Sequence, residues 1–433
     1  MTWLQRYRAR YFIRYSFWFV PALCMLAALP AVRLVRWLDD RTGWPWLGFT
    51  AEGARGVLGG LSVSMLTFIV FAVSALLLAV QIASGQLTPR VIVLAFSRPI
   101  TRFSVGLLVF SYTFALGALG RIEQARVPQL LVFVAIVTNL VSIVVFFWFV
   151  QQLGTSLRPV FILQSLWDAA RRVVDRVYPT QLRPDGGPRT APDGVVLDPS
   201  RVIEHIGGSG TFLAFGVGEL VAVAGRADCT IQVVPEVGDF VSNGDALFRI
   251  CPAGARLNEA ALHHCVAFGP ERTLEQDPAF ALRIMVDIAS RALSPAINDP
   301  TTAVLALDQI HRLLLYIGRK RLDPGRVRDE HGHVRLLYPT PGWEDFVALA
   351  VSEVRLFGSG SIQIPRRLNA MLEHLLVALP EPRRSALRQE LALVRRAVER
   401  GYDEAEDRQL AHRADLQGLG GLPSADTDSP RLV

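Results

Sequence analysis

The stretch VLGGLSVSMLTFIVFAVSALLLAVQIA, residues 57–83, is the longest apolar run in the chain. It decides the fold class, because ~20 such residues cross the hydrocarbon of a bilayer as one helix. At ~100° per residue, positions seven apart nearly superimpose. Gly60, Thr67, Ser74, Gln81 and Thr88 are spaced in this way, so they drift by only about 80° over the whole segment. Ser64, Ser84 and Gly85 lie beside that line, while Leu66, Phe68, Val70, Phe71, Leu76, Leu77 and Val80 fill the other faces. Hydroxyls and an amide in lipid must face protein or water. The stripe marks either a tight helix contact or the wall of a hydrated path.

Three further spans are expected: Ser16–Val35 with Pro21 and Pro30 inside it, Ser104–Leu119, and Pro128–Leu153 with proline at the helix start. Trp3, Tyr7, Tyr11 and Tyr15 precede the first span like an interfacial aromatic belt. The charged lead is too long for a signal peptide, and no small-residue cleavage site follows it. Arginines cluster at Arg6, Arg8, Arg10 and Arg14, at Arg90, Arg98 and Arg102, and at Arg158, Arg171, Arg172 and Arg176. On the opposite side, Arg36, Arg41 and Arg55 are offset by Asp39, Asp40 and Glu52, leaving Arg121 and Arg126. The positive-inside rule then predicts a multi-pass protein of the bacterial inner membrane with both termini cytoplasmic.

Charged residues are 19% of the chain, the mean hydropathy is +0.31, and the apolar excess lies before Leu153. The remainder has globular proportions, so a separate soluble part is expected. A net charge of +6 suits contact with anionic lipid. No Lys/Arg run with interleaved aromatics argues for nucleic acid. The four cysteines show no C-x-x-C spacing, so neither a disulfide framework nor a zinc ribbon is indicated, and Lys320 is the sole lysine.

The organisation expected is a four-helix transmembrane domain over 1–156, then an amphipathic helix and linker over 157–200. A β-rich module over 201–253, a helical domain over 254–415 and a disordered tail over 416–433 follow. Ile162, Leu166, Ala169, Val173 and Val177 repeat at helical spacing, as for a helix lying on or leaving the membrane. Thr180–Ser200 is rich in Pro, Gly and Asp and reads as the linker. Between Thr230 and Ile250, strands flank the turn residues Gly238-Asp239 and Asn243-Gly244-Asp245. This run resembles half of a barrel-sandwich hybrid, the fold of lipoyl and biotinyl carriers. The carrier lysine is missing, so a structural module without a prosthetic group is expected.

In the helical part, Asp277-Pro278 and Asp299-Pro300 each place a carboxylate at N-cap and proline at N1. The first helix buries Ala281, Ile284, Met285, Ile288 and Ala292, and Ser294-Pro295 stops it. Arg272, Asp277, Arg291, Ser294, Asn298 and Asp299 are therefore candidates for a ligand site or for interhelical pairing at this corner. Nothing here has the nucleophile, acid–base pair or phosphate loop of an enzyme. His263-His264-Cys265 reads as a strand whose neighbours point to opposite faces, which disfavours a metal site. His331 and His333 fall in a polar loop from Lys320 to Val334. Helices are expected over Trp343–Phe357, Ile364–Ala378 and Pro382–Arg400.

The segment ASRALSPAINDPTTA, residues 289–303, with RTLEQD at 272–277, resembles the signature of an uncharacterised bacterial membrane family, domain of unknown function 2254. QIASGQLTPR at 81–90, Gly238-Asp-Phe-Val and the four-span layout fit the same family, with Gly85 and Thr88 where it more often has serine. The resemblance implies membrane topology over residues 10–375 and names no substrate.

The fold class expected is thus an α-helical membrane protein with four transmembrane helices and a cytoplasmic α+β domain. The function expected is a homo-oligomeric ion channel or channel-like pore, walled by Thr67, Ser74, Gln81, Ser84 and Thr88. The alternative is a membrane-anchored sensor or scaffold whose cytoplasmic domain binds a ligand or partner. Neither catalytic residues nor a metal or cofactor is expected. The partners implied are the lipid bilayer, further copies of the chain, and an ion or small ligand.

Overall fold

The computed structural model describes residues 2–43, 48–88, 90, 99–123, 127–156, 158–182, 201–252, 257–322 and 325–421. The chain divides into two compact units, one of Ala9–Ile162 and one of Met1–Arg8 with Leu163–Val433. Arg98, Arg126, most of the expected linker and the tail from Leu422 lie outside the described residues.

The first unit holds four helices long and apolar enough to cross a membrane. They are α2 (Phe19–Thr42), α3 (Ala51–Gln86), α4 (Pro99–Leu119) and α5 (Gln129–Ser156); α1 (Trp3–Tyr15) precedes them. Helices α4 and α5 each pack on both α2 and α3 and on one another. The interior is filled by Leu58, Met65, Leu108, Phe114, Leu131 and Phe149, all buried. Helix α3 starts where the Thr50 side chain accepts Gly53 N–H at 3.2 Å. Its 36 residues make a rod of ~54 Å, well beyond the ~30 Å hydrocarbon. Buried Asp39, near the end of α2, accepts Leu130 N–H at 2.8 Å and so caps the start of α5 from another helix.

The second unit mixes strands and helices. Helix α6 (Pro159–Val177) has an apolar face as expected, but that face meets protein rather than a membrane surface. Leu166, Trp167, Ala170 and Val174 are buried, and the Trp167 ring packs edge-on against Tyr316. Trp3 and Tyr7, read above as part of an aromatic belt, stack on each other at 5.2 Å, and their segment packs on protein. Leu4 N–H bonds His264 O, Arg6 pairs with Glu219 at 2.7 Å, and Gly216 lets the Trp3 ring sit against its backbone.

The strands are β1 (Arg201–Glu204), β2 (Gly210–Phe215), β3 (Thr230–Val233), β4 (Phe240–Val241), β5 (Ala246–Cys251), β6 (Val266–Gly269), β7 (Gly325–Arg328) and β8 (Val334–Tyr338). They form a five-stranded sheet in the order β1-β5-β3-β8-β7 and a three-stranded sheet, β4-β2-β6. The expected β3/β5 pair is present and antiparallel. The sheet is wider than a barrel-sandwich half, because β8 returns to pair parallel with β3, Ile231 opposite Leu336. The polar loop Lys320–Val334 therefore contains a strand, and β6, β7 and β8 join the β layer although they lie beyond residue 253. Helices α7 (Val217–Arg226) and α8 (Glu259–His263) accompany the sheets.

The helical layer comprises α9 (Pro278–Ala292), α10 (Pro300–Gly318), α11 (Trp343–Phe357), α12 (Gln363–Ala378), α13 (Glu381–Gly401) and α14 (Ala405–His412). Leu416–Gly421, assigned to the tail by composition, folds against α12. Buried Arg366 donates to the carbonyls of Arg413, Gly420 and Gly421, and Asp415 accepts N–H bonds from Gln417, Gly418 and Gly420.

Candidate functional site

Two places hold polar groups without an evident structural role. The first is the outer face of α3. Ala54, Leu58, Met65, Ala72, Leu76, Ala79 and Ala83 are buried, whereas Gly60, Thr67, Ser74 and Gln81 are exposed. At ~100° per residue the centres of these two sets lie roughly 180° apart. The stripe thus points away from α4 and α5. Thr67 Oγ1 donates to Val63 O at 3.0 Å and Ser64 Oγ to Gly60 O at 2.9 Å, so their own helix satisfies them. The side chains of Ser74 and Gln81 have no hydrogen-bond partner among the described residues. Ser84 is half-buried to one side. Thr88 leaves the stripe altogether: α3 ends at Gln86, Leu87 is not helical, and Thr88 is buried. The helical stripe extended to Thr88 overran the true end of the helix.

The second place is in the second unit, at the start of α9. Both Asp-Pro pairs cap as expected: Asp277 accepts Phe280 N–H at 2.9 Å, and Asp299 accepts Thr302 N–H at 3.0 Å and the Thr302 hydroxyl at 2.5 Å. They do not form one corner, however. Arg272 and Asp277 sit at one end of α9, and Arg291, Ser294, Asn298 and Asp299 at the other. The 15 residues of α9 separate them by ~22 Å. At the far end Ser294 bonds Arg291 O, Asn298 adopts a left-handed φ of 48°, and Asp299 N–H closes on Ala292 O at 2.7 Å. These are the bonds of a tight helix–helix turn.

The near end opens into a cleft. Asp277 is 3% exposed, and Arg272 Nε donates to it at 2.9 Å. Arg272 crosses directly over Gly238, whose φ is +104°; a Cβ there would overlap the guanidinium. The family-like Gly238-Asp-Phe-Val and Arg272 segments thereby meet in space. Beside them, a cleft of ≈ 580 Å³ including its open mouth is lined by Val177, Phe215, Glu236, Val237, Pro278 and Tyr338 among others. Burial raises the Asp277 carboxyl above the ordinary range despite Arg272. Glu236 is raised first by burial, then by repulsion from Asp239, Asp277 and Asp345. The Glu236 carboxyl has no hydrogen-bond donor among the described residues. Sequence reasoning missed this cleft, although Gly238 and Arg272 both lie in motifs that it had singled out.

His263 ends α8 and His264-Cys265 form the turn after it rather than a strand; Cys265 Sγ bonds Ala261 O, and burial pushes its thiol up to about 11. Among the described residues no group of three His, Cys, Asp or Glu could hold a metal ion.

Four candidate spans joined to a mixed helix-and-sheet unit define the class of this molecule, a multi-span membrane protein. The chain belongs to the family described as predicted membrane protein, domain of unknown function 2254, whose family model matches residues 14–374. It is 30% identical over 376 residues to an uncharacterized protein of Mycobacterium bovis, a match covering 83% of this chain and 71% of that relative. An uncharacterized protein of Mycobacterium tuberculosis is similar to the same extent, 30% over 376 residues with 83% and 71% coverage. No solved structure matches the chain significantly.

Proposed function

We propose that several copies of this chain assemble through the outer face of α3 into an ion-conducting or channel-like pore of the bacterial inner membrane. The observation that carries the reading is that Ser74 and Gln81 face away from the chain's own helices and lack partners among the described residues. An amide on a lipid-facing surface is costly, and either water or a neighbouring copy relieves it. The glycines Gly56 and Gly60 support the same reading, because their open faces allow close helix approach. The filled interior of the four-helix unit favours a path between copies over one within a chain. The arginine asymmetry supports cytoplasmic termini, and a reporter fused after Arg158 is expected to be active only in the cytoplasm. A periplasmic signal from that fusion overturns the orientation.

The pore is tested with Ser74→Cys and Gln81→Cys in liposomes. Both cysteines are expected to react with small water-soluble thiol reagents, with a change in ion flux, while Leu76→Cys stays inert inside the bundle. Inertness at all three, together with no flux from purified protein, makes the stripe a packing seam. The alternative, a membrane-anchored sensor or scaffold, then takes first place, and the cleft at Glu236 favours that reading.

A further inference from the structure

We infer that the cleft beside Glu236 binds an organic cation, an ammonium or guanidinium group on an apolar body. The inference does not depend on whether α3 lines a pore. Its first support is shape: an open cleft lined mainly by apolar side chains, with few polar groups, as small-molecule sites are. Its walls are Val177, Phe215, Val237 and the rings of Pro278, Pro339 and Pro341, which suit an apolar body.

Its second support is the balance of charge. Both arginines near the cleft are engaged: Arg272 holds Asp277 at 2.9 Å and Arg176 approaches Glu275 at 3.7 Å. Asp239 accepts Glu236 N–H, and Asp345 accepts Gly342 N–H. Glu236 is the carboxylate left over. An anion would have to compete with Asp277 for Arg272 and with Glu275 for Arg176. A neutral ligand would bury Glu236 unpaired, at the cost of desolvating a charge. A divalent metal needs several carboxylate or carbonyl ligands, and the neighbouring carboxyls already accept other hydrogen bonds. A monovalent organic cation matches one free carboxylate on an otherwise apolar wall. The rings of Phe215 and Tyr338, 5.0 Å apart at 64°, add π surface that favours a cation.

The test uses the full-length protein in detergent, with benzylammonium and benzyltrimethylammonium as probes, read by isothermal titration and by thermal shift. Saturable millimolar binding of at least one probe is expected, with benzyl alcohol and benzoate at least tenfold weaker. Glu236→Gln is expected to weaken the amine at least tenfold with an unchanged circular dichroism spectrum, and the exposed Glu330→Gln to leave it unchanged. Val177→Trp, which fills the cleft without altering its charge, is expected to abolish binding. Equal binding of amine and benzyl alcohol, full binding to Glu236→Gln or Val177→Trp, or no saturable binding of either amine overturns the inference. Ion flux is measured in parallel, so failure of the cleft and failure of the pore are told apart.

Discussion

Helices α3 and α4 carry the same small and hydroxylated residues in the same apolar setting, but turn them in opposite directions. On α4, Gly106 lies against Cys24, where an added Cβ would stand 2.9 Å from Sγ, and Gly117 lies against Val32 at 3.0 Å. Ser111 Oγ shares a 2.6 Å hydrogen bond with Ser142. On α3, a Cβ at Gly56 or Gly60 would meet nothing within 4 Å, and Ser74 and Gln81 find no partner among the described residues. Small polar residues in an apolar helix record close approach by something. For α4 that something is the same chain; on α3 the chain itself leaves these positions uncovered.

The largest effect comes from enlarging the two glycine sets. Gly117→Leu forces a branched side chain into Val32 and is expected to cost about 3 kcal/mol or more of bundle stability, seen as lost monodisperse protein in detergent. Gly60→Leu is expected to leave the monomer within about 0.5 kcal/mol of wild type while reducing the oligomer mass measured by light scattering. A Gly60→Leu protein that misfolds as Gly117→Leu does would erase the distinction between the helices.

The spans and both Asp-Pro caps were legible because their signals are local: a helical period, a carboxylate, and a proline one position later. Direction was not legible in the same way. The period of α6 is identical whether its face meets lipid or protein, so only the contact between Trp167 and Tyr316 decides it. The cleft was invisible because Val177, Phe215, Glu236, Asp277 and Tyr338 come from separate segments. It forms only once β8 has returned to β3, a non-local pairing that no window of sequence contains. Thr88 failed for a smaller reason, since a helix projection is valid only up to the true end of the helix.

The two ends of α9 repeat the contrast within the second unit. Asp277 is buried and tied to Arg272, whereas Asp299 caps at a half-buried turn. Asp299→Ala is expected to cost ~1 kcal/mol, and Asp299→Ser close to nothing, because serine caps as well. Asp277→Ala is expected to cost about 2 kcal/mol, because it removes a cap and also strips Arg272 of its partner. Urea unfolding measures all three. Equal losses for the two alanines would mean that burial and the ion pair add nothing to the cap.

Glu236 is the counterpart of Gln81 in the second unit, a polar side chain without a partner among the described residues, and it gives the smallest and most pH-specific effect. Its carboxyl is held above the ordinary range by burial and by Asp239, Asp277 and Asp345, with Arg272 pulling the other way. The folded state therefore holds this proton to higher pH than the unfolded chain does. Stability falls as pH rises through the interval between the two values, and the penalty is complete above it. Glu236→Gln removes that penalty, so its Tm is expected to exceed that of wild type by roughly 1–2 °C at pH 7. The gain should shrink to nothing as pH falls below the ordinary carboxylate range, where wild-type Glu236 is protonated in both states. A Tm gain independent of pH would assign the effect to packing. A loss at pH 7 would show that Glu236 already has a cationic partner in the assembled protein, which makes the comparison with Gln81 untenable.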